Sequence, residues 1–353
     1  MPAEPSPGTS ALPPGWAPRF YEQRDEEAVL RLLPEAFDGW PKVTATVPAP
    51  EHLRWKLASH PSGPRQCLVA EIDGRVVGFQ CYWFQQLKIG DRLLLAKQSM
   101  DFCVHPDFQR MGIRTAMQRM AQRSPRRNFQ VNFGLTSGHP AMRKLERNAI
   151  RANLPGPTRL ANSIEALVRK RSAGGPAPVP SLEDGEDAWT LRRVPAFDRR
   201  IDAFWEQAAQ PFVAIVARRC EYLNWRYADA RAGNFSITVA LEGGAILGYI
   251  VSCVSRGRGY IADLLALPGR TEVADALIGR SVADLDNAGS STIECWSPRH
   301  HPYRELWQAW GFSHRRREVP ISMRHAREYV DDMPFRDDPK AAVHITIGDT
   351  DLV

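Results

Sequence analysis

The chain lacks a long apolar segment and has no visible framework for disulfides or metals. No run of about 18 or more apolar residues occurs, so no transmembrane helix and no membrane partner are expected. The six cysteines are scattered and form no Cys-x-x-Cys pair, which indicates buried free thiols in a reducing compartment and no zinc site. A cytoplasmic protein without a bound metal is therefore expected.

Lysine is also scarce: only seven of the 46 basic residues are lysines, and the chain carries a net charge of +6. Arginine runs occur at 123–127 and 315–317. They are typical of a solvated surface or of a field that attracts an anionic cofactor. Because no helix-turn-helix, zinc finger or aromatic platform accompanies them, nucleic acid is not the expected partner.

The length of 353 residues exceeds the size at which one hydrophobic core keeps growing, so two domains are expected. An internal repeat supports this division. Residues 52–58 match 222–228, and Trp55 aligns with Trp225 and Gly78 with Gly248 at the same offset, 170 (225 − 55). A period this long indicates domain duplication and not a solenoid. Because the tryptophans recur in both copies, we interpret them as packing residues.

The composition between the copies changes to proline, glycine and alanine, which is typical of a linker. We predict a disordered leader at 1–18, a first domain at 19–170, a linker at 171–181, a second domain at 182–330 and a tail at 331–353 that adds an edge strand. Each copy begins with a helix and continues with two strands joined by a glycine turn, a long strand, a helix, a strand and a helix. This order predicts a mixed α/β domain.

The segment that carries chemistry joins the end of an apolar strand to the start of a helix. The strand ends at His105 and Pro106, and the helix opens near Gly112. Because the first N–H groups of a helix lack partners and the helix dipole attracts anions, such a point binds phosphate. Gly112 lets the backbone approach a ligand closely, and Arg110 and Arg114 add positive charge.

This segment resembles the pyrophosphate-binding signature of the GNAT acetyltransferase superfamily, Val-His-Pro-x-Tyr/Phe-Arg/Gln-x-x-Gly-x-Gly/Ala. The match covers Pro106, Phe108, Gln109 and Gly112, whereas Arg114 stands where the signature has a small residue. The whole chain resembles tandem-domain GNAT proteins. The resemblance implies two tandem acyl-CoA N-acyltransferase folds, each a mixed, mostly antiparallel sheet flanked by helices.

The resemblance also implies acetyl-CoA, or another acyl-CoA, as co-substrate. Backbone groups of Cys103 and Val104 would pair with the pantetheine arm, and an N–H near Val104 would polarise the thioester carbonyl. The strand at 129–135 would diverge from this strand and admit the thioester. The residues implied at the pyrophosphate are Gln109, Arg110, Met111, Gly112, Ile113, Arg114 and Thr115.

Four residues are candidates for handling protons: Gln98, Asp101, Ser137 and His139. Gln98 and Asp101 lie near the expected thioester carbonyl, and only Asp101 can titrate, so it is the candidate base; its alternative role is a structural carboxylate that caps a neighbouring loop. Ser137 and His139, at the mouth of the next strand, are the candidates for protonating the leaving thiolate; the alternative role of His139 is to hydrogen-bond its loop. The tyrosine that the family often uses as general acid is replaced by Leu145. Either the thiolate leaves unaided or another group protonates it.

The second copy departs from the signature. At an offset of 162 (263 − 101), Glu272 and Ala274 stand where the first copy has Arg110 and Gly112. A carboxylate beside a pyrophosphate is repulsive, so we predict that the second domain has lost its CoA site. It would shape the acceptor pocket, replace a homodimer partner or bind a small molecule of its own. Trp307, at the tyrosine position, is expected to pack in the core.

The sequence therefore predicts an N-acyltransferase that moves an acetyl or short acyl group to an amine of a small molecule by direct attack in a ternary complex. Two alternatives stay open: a non-catalytic acyl-CoA-binding module, and a transferase that uses aminoacyl-tRNA. Monomer and homodimer also both stay open.

Overall fold

The computed structural model describes residues 16–37, 40–41, 45–58, 60–61, 66–123, 129–135, 158–159, 162–171, 189–319, 321–325, 335 and 337–350. The predicted linker at 171–181 lies outside this part except for residue 171, and so does most of the predicted leader.

The described residues form two sheets with helices on their faces. The strands are β1 Arg19–Phe20, β2 Gln66–Ile72, β3 Arg75–Ile89, β4 Arg92–Val104, β5 Val131–Leu135, β6 Thr158–Arg159, β7 Ile164–Lys170, β8 Trp189–Val194, β9 Ala214–Val216, β10 Phe235–Glu242, β11 Ala245–Ser255, β12 Arg258–Ala266, β13 Thr292–Pro298, β14 Ser313–Val319, β15 Ile321–His325 and β16 Val343–His344. The α-helices are α1 Glu26–Phe37, α2 Ala49–Ala58, α3 Ile113–Arg123, α4 Arg200–Ala208, α5 Cys220–Leu223, α6 Thr271–Asn287 and α7 Arg304–Ala309. The mixed α/β class is confirmed.

The two sheets repeat one strand order. The first runs β1-β2-β3-β4-β5-β15-β6, and the second runs β8-β10-β11-β12-β13-β7-β14. In each sheet the fourth and fifth strands are parallel and the other pairs along this order are antiparallel. The sequence repeat is therefore a structural repeat. The extended end of β3 also receives β9, and β16 pairs with β9 beyond it.

The sixth strand of each sheet comes from the other half of the chain. Strand β7, which the sequence places in the first domain, lies between β13 and β14 of the second sheet. Strand β15 takes the matching place between β5 and β6 of the first sheet. A fragment covering 19–170 would therefore carry a strand that pairs elsewhere and would lack one that its own sheet needs.

The repeated glycines allow a helix to approach each sheet. A Cβ on Gly78 would lie 3.3 Å from atoms of both Ile113 and Met117 on α3. A Cβ on Gly248 would lie 3.0 Å from a methyl carbon of Val273 on α6. The same residue type recurs because the same strand–helix contact recurs.

The repeated tryptophans meet each other at the contact between the two halves. The indole rings of Trp55 and Trp225 stack with centroids 4.8 Å apart, and the Trp55 indole N–H donates to the Trp225 carbonyl at 3.1 Å. Trp83 packs edge-on against Trp225 at 5.0 Å. Equivalent residues that touch each other are a property of two-fold interfaces, so the halves associate as the subunits of a dimer would. The packing role predicted for both tryptophans fits this contact.

A buried ion-pair cluster fastens the C-terminal segment to the second sheet. The Arg218 guanidinium donates to both carboxylate oxygens of Asp349, at 2.7 and 2.8 Å, and its Nε lies 2.8 Å from Asp263. Burial alone would raise the pKa of Asp263, but the Arg218 charge, His344 and the Tyr249 hydroxyl together outweigh burial and hold that pKa at about 2. The predicted tail strand is short: β16 is followed by a 3₁₀ turn at Ile347–Asp349 that carries this carboxylate.

Replacing Arg218 by alanine should lower the free energy of unfolding by about 3–5 kcal/mol, because two carboxylates would remain buried without their cation. The matched control is Arg219→Ala. Arg219 is the next residue, but its ion pair with Glu206 is exposed, so the change should stay within about 0.5 kcal/mol. Urea denaturation of both variants measures the difference. Equal stability of the two would contradict the role given to Arg218.

Candidate acyl-CoA site

The turn between β4 and α3 has the backbone shape that the sequence predicts. A 3₁₀ turn at Pro106–Phe108 follows β4, Arg110 has φ +68°, Gly112 has φ +85°, and α3 begins at Ile113. An added Cβ on Gly112 would have no atom within 4 Å, so the space in front of the turn is open. The first N–H groups of α3 lack intrahelical acceptors, so this end of the helix is suited to binding an anion.

Side chains hold this turn against the sheet. Ile113 is 2% exposed and anchors the first turn of α3. The Gln109 side-chain amide donates to the Val104 carbonyl at 3.4 Å, which ties the turn to the end of β4. Arg114 folds back over the ring of Phe102, with its guanidinium carbon 4.9 Å from the ring centroid, and burial lowers its pKa. The Arg114 side chain therefore points back along β4 and away from the turn.

Strands β4 and β5 separate before β4 reaches the turn. Their parallel pairing covers Ala96 to Gln98 on β4 and Val131 to Phe133 on β5, and no further rung forms among the described residues of β5, which end at Leu135. Beyond Gln98, β4 still pairs with β3 on its opposite side, through Ser99 and Met100 and then, after a bulge, through Cys103 and Val104. Among the described residues, the edge of β4 at Cys103 and Val104 thus has no strand partner on the β5 side, and the turn before α3 follows directly. We call this unpaired edge the gap, and the turn the phosphate-binding turn after its predicted role.

Asp101 lies at a bulge on β4 beside this gap. The register with β3 shifts between Phe79 and Cys81, and Asp101 has φ +44°, which is strained for a residue other than glycine. Its carboxylate lies 2.6 Å from the ammonium of Lys56, and the Trp40 indole N–H donates to it at 3.1 Å. Both charged groups are almost fully buried. These contacts make Asp101 the counter-ion that holds the bulge.

Gln98 is also engaged inside the protein. It is 3% exposed, and its amide donates to the Asp349 carbonyl at 2.9 Å and accepts from the Gln85 amide at 2.7 Å. Cys103 is buried, and burial raises the pKa of its thiol to about 12. A protonated thiol is a poor nucleophile, so no covalent cysteine step is indicated at Cys103.

Comparison with known proteins bears on the family and the fold. Residues 27–145 match the acetyltransferase (GNAT) family. A tandem GNAT protein from the clavulanic acid biosynthesis pathway superposes with a TM-score of 0.58 at 15% identity, over 88% of this chain and 98% of that one. Residues 27–145 therefore match a GNAT domain, and the chain as a whole shares the fold of a tandem GNAT protein.

Two further structures share the fold. The N-myristoyltransferase of Saccharomyces cerevisiae with bound myristoyl-CoA gives a TM-score of 0.61 at 13% identity, over 96% of this chain and 87% of that one. Eis1 of Mycobacterium abscessus gives 0.53 at 19% identity, over 89% and 74%. A comparison with the curated proteins finds no match. At such identities the structural likeness establishes the fold alone.

The second domain lacks the loop that precedes α3 in the first domain. Helix α6 begins at Thr271, although the equivalent of Ile113 at the offset of 162 is Asp275. An extra turn of helix therefore occupies the positions of the loop. Glu272 lies in this first turn beside Arg270, and Ala274 is fully buried.

In the second domain a tyrosine side chain of the protein itself bonds to the strand edge that corresponds to Val104. Pairing of β12 with β13 ends at the Ile261–Cys295 rung. Ala266, the counterpart of Val104, donates its N–H to the Tyr303 hydroxyl at 2.8 Å, and its carbonyl accepts from the same hydroxyl at 3.3 Å. A pantetheine arm would need these backbone groups, so Tyr303 takes its place.

A narrow cavity of about 10 Å³ remains beside Tyr303, enough for a single water. His301 lines it and bonds to His344 at 2.9 Å, and His344 lies 3.3 Å from Asp263. Burial lowers the pKa of His301 well below its usual value. Trp307 lies in the same wall and is 4% exposed, in agreement with the predicted packing role.

Ser137 and His139 lie outside the described residues. Within the part of the chain that is described, no group of three or more His, Cys, Asp or Glu residues could hold a metal, and no helix is both long and apolar enough to cross a membrane. All six cysteines are free thiols, and five of them are buried.

Replacing Gly112 by alanine should weaken CoA binding about tenfold, because the turn would lose the equivalent of one hydrogen bond to a charged phosphate. The matched control is Gly244→Ala in the second domain. Gly244 has φ +88° and equally open surroundings, so both variants should lose about 1–2 kcal/mol of stability. Calorimetric titration with CoA compares them. An equal loss of affinity in both variants would show that the turn is not the site.

Proposed function

We propose that the protein is an acyl-CoA-dependent N-acyltransferase that transfers an acetyl or short acyl group to an amine of a small molecule. One observation supports the proposal: in the first domain the turn before α3 follows an edge of β4 that no longer pairs with β5, whereas in the second domain helix takes the place of the turn and Tyr303 bonds to the matching strand edge. We therefore expect one acyl-CoA per chain.

The arrangement supports a division of tasks along β4. N–H groups from Gln109 to Thr115 would bind the pyrophosphate, and backbone groups of Cys103 and Val104 would pair with the pantetheine arm as an added strand does. An N–H of the strand near Val104 would donate to the thioester oxygen. This contact strengthens as negative charge develops on that oxygen in the transition state.

The chemical step needs no covalent enzyme intermediate. The amine nitrogen attacks the thioester carbon, the C–N bond forms, and the C–S bond breaks to release CoA as a thiolate. The thiol of CoA is acidic enough to leave as the thiolate without a general acid. The reaction therefore does not need the tyrosine that Leu145 replaces. The proton that the amine loses must pass to a base or to the thiolate.

His139 is the base that we favour. Asp101 would have to give up a buried ion pair with Lys56 in order to accept a proton. The His139-Pro140 pair recurs as His301-Pro302 at the offset of 162 (301 − 139), and His301 lines the cavity of the second domain. Ser137 has no such support, because its counterpart Arg299 forms an ion pair with Glu165.

Full-length protein should bind acetyl-CoA in calorimetry and should release CoA thiol when an amine acceptor is added. A panel of amine metabolites, sugar amines, aminoglycosides and polyamines, read with a thiol reagent and by mass spectrometry, identifies the acceptor. Absence of acetyl-CoA binding would contradict the proposal. Binding without thiol release for any amine would favour a non-catalytic module, and activity that is lost on ribonuclease treatment would favour the tRNA-dependent alternative.

His139→Gln should lower kcat about 100-fold while the dissociation constant for acetyl-CoA stays unchanged, because only the proton transfer is affected. Asp101→Asn should mainly lower stability, since it leaves Lys56 without its counter-ion. Measuring kcat, acetyl-CoA affinity and thermal unfolding for both variants separates the roles. Loss of kcat in a stably folded Asp101→Asn protein, with normal activity in His139→Gln, would reverse the assignment.

A further inference from the structure

The gap between β4 and β5 has a defined closed end. The strands are paired through the Gln98–Phe133 rung and diverge beyond it toward the phosphate-binding turn. A pantetheine arm that enters from the turn therefore carries its acyl group toward Gln98. Whatever surrounds Gln98 limits the room for the acyl group.

The closed end is buried and polar. The Gln98 amide nitrogen donates to the Asp349 carbonyl at 2.9 Å, and its oxygen accepts from the Gln85 amide at 2.7 Å. Gln85 is fully buried, and the neighbouring Met100 and Phe133 are each 3% exposed. An acyl chain that reached this point would have to displace hydrogen bonds that no water could replace.

The segment behind Gln98 cannot easily recede. Asp349 is clamped by both terminal nitrogens of Arg218, and Arg218 is itself held by Asp263. The three side chains are fully buried. The cost of separating such charges keeps the Asp349 carbonyl where Gln98 meets it.

Packing adds a second restraint on the same segment. A Cβ on Gly348 would lie 2.0 Å from the Tyr227 hydroxyl and 2.6 Å from the Ala262 carbonyl, so the chain passes here with no spare room. Arg226 donates to the carbonyls of Gly348 and Thr350 at 3.0 and 2.8 Å. All of these partners come from the second half of the chain.

We infer that Gln98, backed by the main chain of Asp349, closes the acyl pocket and restricts the donor to short acyl groups. The second domain thereby has a task of its own: it holds the end of the pocket of the first domain. This inference rests on the proposed function and specifies the class of its donor. Acetyl-CoA and propionyl-CoA would be accepted, and octanoyl-CoA would be excluded.

Calorimetric titration of the full-length protein with CoA, acetyl-CoA, propionyl-CoA and octanoyl-CoA tests the inference without knowledge of the acceptor. Acetyl-CoA and propionyl-CoA should bind as tightly as CoA. Octanoyl-CoA should bind at least about tenfold more weakly, which corresponds to one buried polar group left without its partner.

Gln98→Ala should remove most of the discrimination against octanoyl-CoA, and Gln98→Asn, which keeps the amide on a shorter side chain, should give an intermediate ratio. The matched control is Gln80→Ala on β3. Gln80 is 2% exposed and donates to Ser99, away from Asp349, so the ratio should stay at the wild-type value.

Equal affinity of the wild-type protein for octanoyl-CoA and acetyl-CoA would overturn the inference even if the Gln98 variants do not fold. An unchanged ratio in folded Gln98→Ala would overturn it as well. In both cases CoA still binds, so the proposed function stands. Failure of CoA itself to bind would remove the proposed function and the inference together.

Discussion

The buried ion pair between Lys56 and Asp101 is the interaction on which the proposed site depends. Asp101 adopts a left-handed backbone conformation at a bulge, and such strain persists only where the surroundings enforce it. Lys56 and the Trp40 indole supply that enforcement. The bulge lies where β4 diverges from β5, and the gap that results would admit a thioester to the middle of the sheet.

The two domains kept the same framework and diverged in what fills it. Strand β12 has a bulge at the matching place. Asp263 lies beside this bulge and forms a buried ion pair with Arg218. Its gap is occupied by Tyr303, and an extra helical turn replaces the phosphate-binding loop. The second domain supports the first. Its buried cluster of Arg218 and Asp263 holds Asp349, whose carbonyl accepts a hydrogen bond from Gln98 of the first domain.

Much of this arrangement follows from local sequence. The turn at Gly112 needs a residue that tolerates positive φ, and the repeated Gly78 and Gly248 mark the strand positions that a helix approaches. Such requirements act within a few residues and leave a visible pattern. The alternation of strands and glycine turns likewise predicted the mixed fold class, which the structure confirms.

Other features depend on distant partners and left no pattern. The exchange of β7 and β15 depends on which sheet each strand joins, and strand periodicity is the same in either sheet. Tyr303 and Arg218 are ordinary residues in the sequence, and only the fold brings them to Ala266 and Asp349. Their long-range pairing is also why a fragment of the chain is a poor test of the site.

The central claim is that one acyl-CoA binds at the turn before α3 and along the end of β4. Hydrogen–deuterium exchange of the full-length protein, with and without CoA, tests it directly. The account predicts slower exchange at residues 102–104 and 109–116 on adding CoA, with no change at the equivalent residues 264–266 and 271–278. No protection at the first turn, or equal protection at both, would contradict it.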